Sequence, residues 1–233
     1  MEATTAPAPT REPVAALHGV ALFDLDRTLV PGSSLVPLGR ELVRRGMLDR
    51  RVVAGRALSA ATFRRRGLGD ERVEALVGGL LALLAGREVV PLAEVARHVG
   101  SGLAAEAYPA ALWLLQRHLA MGDFCVVLTA APQPLADALA HAIGAHRAIG
   151  TRLEVADGRF TGRIDGVLCH GPGKVRRLGE ELGDLGSSRA TGYGDSASDV
   201  AVLERCGDPV AVNPDRGLAA VARDRGWPVL RLG

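Results

Sequence analysis

Cysteine is scarce in this chain, and what there is has no pattern. Cys125, Cys169 and Cys206 lack CxxC spacing and are odd in number, so no disulfide framework or zinc site is expected and a reducing cytoplasm fits best. An excess of one charge is missing too. Lys and Arg total 28 against 26 Asp and Glu, a net of +2, which gives no reason to expect nucleic acid or a membrane surface as the main partner. The most apolar run, ALVGGLLALLAG from Ala75 to Gly86, is shorter than the about 20 residues a membrane span needs, and it reads as a buried helix. The first sixteen residues, MEATTAPAPTREPVAA, have no basic start followed by an apolar stretch, so a disordered tail is expected rather than a secretory signal. His18, His98, His118, His141, His146 and His170 show neither HExxH nor paired metal spacing. The glycines of GPGK (171–174) lack the spacing of a nucleotide-binding loop, and no internal repeat is visible.

What the chain does have is a folded composition, with 48% hydrophobic residues in 233, enough for one large domain or a core with a smaller second unit. Short apolar runs ending in turn-formers stand at GVALF (19–23), FCVVL (124–128), RATGYG (189–194), PVAV (209–212) and PVLRL (228–232). Helical stretches separate most of them, including PLADALAHAIG (134–144) and a segment from Pro214 to Gly226, each with proline in the first turn and glycine as a stop. Strands alternating with helices predict an α/β fold, a Rossmann-like parallel sheet covered by helices. Asp157-Gly158, flanked by alternating residues in VADGRFTGRI, predicts a hairpin on the edge of that sheet.

The alternation fails once, between the first two strands. Roughly eighty residues from Pro31 onward show helical periodicity and no strand, too many for one crossover. SLVPLGRELVRRG, DRRVVAGRALSAATFRRR, DERVEALVGGLLALLAG and LAEVARHVG read as four helices of an inserted unit. A fifth, AEAYPAALWLLQRHLAMG (105–122), leads back to the sheet. The expected organisation is a tail over 1–16, a core over 17–30 and 106–233, and a helical insertion over 31–105.

Ligands of open parallel sheets bind beyond the carboxyl ends of the strands. Asp24 and Asp26 follow the first strand, Thr129 ends the second, Asp195 and Asp199 follow RATGYG, and Lys174 begins a helix. Alternate residues of an extended chain share a face, so Asp24 and Asp26 can address one ligand. Carboxylates gathered in this way repel one another unless a cation joins them, and hard oxygen donors suit Mg2+.

Taken in order, FDLDRTL, LTA, the lysine of GPGKVRRL and GYGDSASD resemble the four motifs of the haloacid dehalogenase superfamily. With a helical cap after the first motif, the chain is similar to the phosphoserine-phosphatase-like branch, subfamily IB. The resemblance implies a Mg2+-dependent phosphatase acting on a small phosphorylated metabolite. Asp24 would be the nucleophile that becomes an aspartyl-phosphate, and Asp26 the acid and base, with a pKa raised by its like-charged neighbours. Mg2+ would be held by the Asp24 side chain, the Asp26 backbone carbonyl and Asp195, with Asp199 orienting waters or Lys174. Thr129 and the amides after it, Ala130 among them, would bind phosphate oxygens, Lys174 would neutralise the transferring group, and Thr28 would support the loop.

Substrate choice is implied less directly. Phosphoserine-specific relatives place an acid nine positions after the nucleophile, where this chain has Ser33, and two glycines after the second motif, where it has Ala130 and Ala131. Another small phosphomonoester, of an amino-alcohol, a sugar or a lipid, remains open. Arg40, Arg44 and the run Arg64, Arg65 and Arg66 are the candidate cap cations for reading it. Three other readings share parts of the pattern. A phospho-accepting receiver domain lacks both the insertion and the second Asp, whereas a phosphotransferase passing the group to an alcohol would keep every motif. A dehalogenase dispenses with the acid at Asp26, so the DLD pair disfavours it.

Overall fold

The computed structural model describes residues 19–48, 69–183 and 189–232. The expected tail, the whole of the second expected helix and Arg64, Arg65 and Arg66 lie outside the described residues.

Six strands form one parallel sheet: β1 (Val20–Phe23), β2 (Phe124–Pro132), β3 (Arg147–Thr151), β6 (Ala190–Gly194), β7 (Asp208–Val212) and β8 (Val229–Leu230), in the order β3-β2-β1-β6-β7-β8. The α/β reading of the sequence is therefore correct. From β1 the sheet is built outward on both sides, β2 pairing along one edge and β6 along the other. This reversal opens a crevice at the carboxyl ends of β1 and β6. Strand alternation sorts the side chains between two cores. Ala21, Phe23, Cys125 and Val127 face one, while Val20, Leu22, Val126 and Leu128 face the other together with Leu178 and Val202.

The helices are α1 (Leu35–Arg44), α2 (Gly69–Leu84), α3 (Val89–Ala105), α4 (Pro109–Ala120), α5 (Gln133–Ile143), α6 (Pro172–Leu182), the short α7 (Val200–Leu203) and α8 (Arg216–Arg225). Gly144 and Gly226 end α5 and α8 in the left-handed conformation, as the sequence predicts, and the Asp215 side chain caps α8 by accepting Leu218 N–H at 2.8 Å. No helix among the described residues is long and apolar enough to cross a membrane. Leu38 and Leu42 of α1, Leu84 of α2 and Leu92, Val95 and Val99 of α3 are buried in the same apolar cluster as Phe23 and Val127. Each such side chain contributes about 1.5–3 kcal/mol on burial.

Four features differ from the sequence reading. The expected helix 105–122 starts later, as α4 from Pro109, with Ala105 instead ending α3, because proline offers no N–H and holds Tyr108 out of helical geometry, with ψ 123. The freed Tyr108 N–H donates to the Leu29 carbonyl at 2.9 Å, tying this break to the loop after β1. β3 was not expected at all. RAIGT has little apolar pattern of its own and becomes a strand by pairing with β2.

β2 also runs past Thr129 to Pro132, with its register shifting after Leu128, so Thr129 does not end the strand. The predicted hairpin exists as β4 (Leu153–Ala156) and β5 (Arg159–Ile164), with Asp157 and Gly158 both at positive φ. It is a separate two-stranded sheet rather than part of the main edge. Its partner is the α2–α3 turn, where Gly86 N–H donates to Phe160 O at 2.7 Å, Phe160 N–H to Arg87 O at 2.9 Å and Val89 N–H to Gly158 O at 3.1 Å.

α3 lies against α5 so closely that a Cβ at Gly100 would stand 2.8 Å from Ala138 Cβ and 2.9 Å from Leu139 N. Gly100→Ala should therefore destabilise. Overpacking against backbone costs about 1–3 kcal/mol, which outweighs the about 1 kcal/mol that alanine gains in helix propensity. Urea unfolding of the variant should show a lowered midpoint at an unchanged slope.

Candidate active site

The crevice gathers side chains from three separate segments. β1 ends at Phe23, and Asp24 N–H continues its ladder by donating to the Tyr193 carbonyl at 2.9 Å. The chain then curls back on itself: Leu29 and Val30 N–H both donate to Leu25 O, and Arg27 N–H donates to Val30 O. This curl places Arg27 at φ 62, an uncommon conformation for a residue with a side chain. α6 begins at Pro172 and presents Lys174 in its first turn. After β6, Ser196 and Asp199 form a capping box around a 3-10 turn, Ala197–Asp199. The glycine of GYGD is explained by the same turn, since a Cβ at Gly194 would fall 2.6 Å from Asp199 Cβ.

Lys174 is the hub. Its buried Nζ donates to Asp24 Oδ1 at 2.5 Å and to Asp199 Oδ1 at 2.6 Å. Asp199 Oδ2 accepts the backbone N–H groups of Asp195 and Ser196, both at 3.1 Å. Carboxylate oxygens of Asp24, Asp195 and Asp199 all lie within 4.8 Å of one another. Three convergent hard-oxygen donors of this kind fit Mg2+, so the donor set matches the metal expected from the sequence.

The surroundings tune these groups. Burial pushes the Asp24 carboxyl well above its ordinary value, Lys174 pulls it back, and Asp199 and Asp195 add to the rise. Asp195 is pushed up to about 6, first by burial and then by Asp199, against the pull of Arg27. Burial works against the Asp199 carboxylate also, but the Lys174 charge and hydrogen bond and the Ser196 and Asp195 amides outweigh it and hold its pKa below the usual value. For Lys174 burial opposes the ammonium, and the Asp199 and Asp24 carboxylates overcome it and raise the pKa.

Asp26 stands apart from that cluster. Its Oδ1 accepts the Ser34 backbone N–H at 2.8 Å, at the entrance to α1. Its carboxyl is raised, as the sequence reading required, but the cause differs. Burial raises it, against hydrogen bonds from Ser34 and Ser33, and no neighbouring carboxylate is among the causes.

Thr129 is buried, and its Oγ1 accepts Ala131 N–H at 3.1 Å. The Ala130 carbonyl accepts from Thr151 Oγ1 at 2.8 Å. Thr28 is buried with its Oγ1 unpaired. On α1, Arg44 pairs with Glu41 at 2.6 Å and Arg45 with the same carboxylate at 2.7 Å, which holds Glu41 down to about 2. Arg40 is exposed, and Arg66 lies outside the described residues.

Sequence reasoning missed Arg27, whose guanidinium donates to Asp195 Oδ2, and Asn213, whose Nδ2 donates to Arg27 O at 2.9 Å. The one signal was a basic residue inside an acidic motif. Nothing in DLDRT announces the left-handed backbone that swings the Arg27 side chain to a carboxylate 168 residues away.

The hub predicts a pH-dependent loss. Because folding raises the Lys174 pKa, its contribution is fully present below the unfolded lysine value of about 10.4 and is lost only as pH climbs through the folded value. Lys174→Met in metal-free buffer should cost about 3–5 kcal/mol near neutrality, since it leaves buried carboxylates uncompensated. Those carboxylates can take up protons in the variant, so the gap to the native chain should narrow between about pH 8 and about pH 5 in parallel urea titrations.

Comparison with known proteins agrees with this geometry. Residues 21–204 match the model of the haloacid dehalogenase-like hydrolase family. The chain is 38% identical over 230 residues to a phosphoserine phosphatase of Mycobacterium tuberculosis, covering 94% of this chain and 72% of the relative. It is 31% identical over 223 residues to a histidinol-phosphatase of Neisseria meningitidis, covering 93% of this chain and all of the relative. Among solved structures, a protein of unknown function from Bordetella pertussis superposes with a TM-score of 0.75 at 33% identity, covering 91% of this chain and 97% of the other. With Asp24, Lys174, Asp195 and Asp199 converging on one crevice and its family model matched from the first strand to beyond Asp199, the chain belongs to the haloacid dehalogenase-like hydrolases.

Proposed function

We propose that this protein is a Mg2+-dependent phosphomonoester hydrolase working through an aspartyl-phosphate, of the subfamily whose helical cap follows the first motif. The observation that carries the proposal is the bridging of Asp24 and Asp199 by Lys174, with Asp195 alongside, at the carboxyl ends of β1 and β6. A buried lysine hydrogen-bonded to a strand-end carboxylate pulls its pKa back against burial and so favours the ionised form that a nucleophile requires.

The geometry supports the following roles. Asp24 attacks phosphorus, and the bond to the leaving oxygen breaks as Asp26 donates its proton to that oxygen. A water molecule then attacks the phosphorus of the aspartyl-phosphate, Asp26 takes its proton, and the bond to Asp24 breaks to release phosphate. Asp26 suits both halves because burial favours its protonated form and the Ser34 amide steadies it when ionised. Lys174 offsets charge on the transferring group, and the Thr129 hydroxyl with the Ala130 amide would supply donors to phosphate oxygens. Asp24, the Asp26 backbone carbonyl and Asp195 would hold Mg2+, with Asp199 orienting them. When bound, the ion would neutralise phosphate charge and screen the nucleophile from its acidic neighbours.

For the substrate, residues 31–105 would act as the cap, with Ser33 and the cap arginines reading the leaving group. The relatives named for phosphoserine and histidinol phosphate both suggest a phosphorylated amino-bearing alcohol. Ser33 in place of an acid argues against phosphoserine itself, and a small amino-alcohol phosphate is favoured.

The purified protein should hydrolyse an aryl phosphate with Mg2+ and stop on chelation; full turnover in excess chelator would refute the metal dependence. Asp24→Asn, which keeps the side-chain shape, should fold normally and lose activity by 10³-fold or more, about 4 kcal/mol. Near-normal turnover in it would rule out the covalent intermediate. A panel of phosphorylated amino alcohols, sugars and amino acids ranked by kcat/KM would identify the substrate class. Of the alanine variants of Arg40, Arg44 and Arg66, at least one should lose about tenfold in kcat/KM, about 1.4 kcal/mol, on the preferred substrate and keep its aryl phosphatase activity. Parallel changes on both substrates would mean that no cap arginine reads the leaving group.

A further inference from the structure

Behind the strand ends that carry Asp24 and Asp195 lies a buried polar chain that the proposed reaction does not use. His118 of α4 sets its Nε2 2.8 Å from the Tyr193 hydroxyl and its Nδ1 2.7 Å from Asp123 Oδ2. The Tyr193 ring stacks on Phe23 with centroids 4.7 Å apart and planes 9° from parallel, and His118 stands edge-on to both rings. Asp123 sits where a side chain at Gly19 would go, since a Cβ there would meet Asp123 Oδ1 at 2.5 Å. A carboxylate only accepts, so Nδ1–H donates to Asp123, and in the neutral tautomer this leaves Nε2 to accept from the phenol.

The placement of this chain gives it leverage on the site. Phe23 immediately precedes Asp24, and Tyr193 stands two residues before Asp195. The two are register partners across β1 and β6, and the Tyr193 carbonyl accepts the Asp24 N–H at 2.9 Å. We infer that the Tyr193–His118–Asp123 chain is a positioning device that fixes the separation of the Asp24 and Asp195 carboxylates, and with it the fit of the site to a divalent cation. A satisfied, directional network in a low-dielectric core holds one geometry, where apolar packing alone would allow several. None of the three residues touches reacting atoms. The inference rests on the reading of Asp24 and Asp195 as the metal-holding pair.

Tyr193→Phe keeps the ring stack and removes only the hydroxyl. Calorimetric titration of the metal-free protein with Mg2+ should show its Kd raised by about tenfold, in the range seen when supports behind metal ligands are lost. kcat for an aryl phosphate should fall by about as much while KM moves less than about twofold. Asp123→Ala should behave like Tyr193→Phe. Asp123→Asn, whose amide oxygen still accepts Nδ1–H, should restore Mg2+ Kd to within about threefold of the native value. A lowered thermal midpoint in Tyr193→Phe with Mg2+ Kd and kcat unchanged would overturn the inference and leave the chain a stability element only. Should Tyr193→Phe not fold, the Asp123 pair decides on the same criteria, with equal Mg2+ affinity in the two overturning it. If the native protein neither binds Mg2+ nor hydrolyses the ester, the proposed function falls and this inference with it. If the native protein does both and the variants match it, this inference alone falls.

Discussion

A buried ammonium between buried carboxylates is the constraint on which the rest of this structure depends. Moving one carboxylate out of water costs several kcal/mol even after relaxation, and here three lie within 4.8 Å of one another. Lys174 offsets that cost for Asp24 and Asp199, and Arg27 for Asp195. The surrounding backbone is shaped to allow it. α6 starts where it delivers Lys174 in its first turn, the 3-10 turn after β6 wraps two amides around Asp199, and the curl after β1 turns Arg27 toward Asp195.

The same constraint separates the roles of the two acids in FDLDRTL. Asp24 continues the β1 ladder into the cluster and is held by cations. Asp26 is held by an amide at the start of α1, with Lys174 the weakest of the influences on it, and burial favours its neutral form. Two carboxyl groups two positions apart thus enter different electrostatic environments, as the proposed division into nucleophile and proton donor requires. Because the Ser34 amide belongs to the first turn of the segment after the loop, the state of Asp26 is coupled to where that segment sits.

Much of this was legible in the chain. Alternating apolar runs and helical periodicity reported the parallel sheet, and Asp157-Gly158 reported its hairpin, because these patterns record local backbone preference and burial. Legibility failed where neighbours decide. RAIGT is a strand because β2 lies beside it, the helix over 105–122 starts only at Pro109 because proline outweighs an unbroken apolar pattern, and the hairpin pairs with the α2–α3 turn instead of the sheet edge.

At the site the division is sharper. The sequence by itself singled out the candidate site, since Asp24, Asp26, Lys174, Asp195 and Asp199 each follow a strand or begin a helix, and residue type with strand order is enough to bring such positions to one edge. Only the tertiary structure decided who pairs with whom. Lys174 chose Asp24 and Asp199, Asp195 took Arg27, and Tyr193 reached His118. Those pairings join residues up to 168 positions apart and depend on distances of a few ångströms and on dihedral angles such as the positive φ of Arg27. Electrostatic energy in a low-dielectric interior changes steeply over such distances, and a linear pattern of residue types carries no record of them.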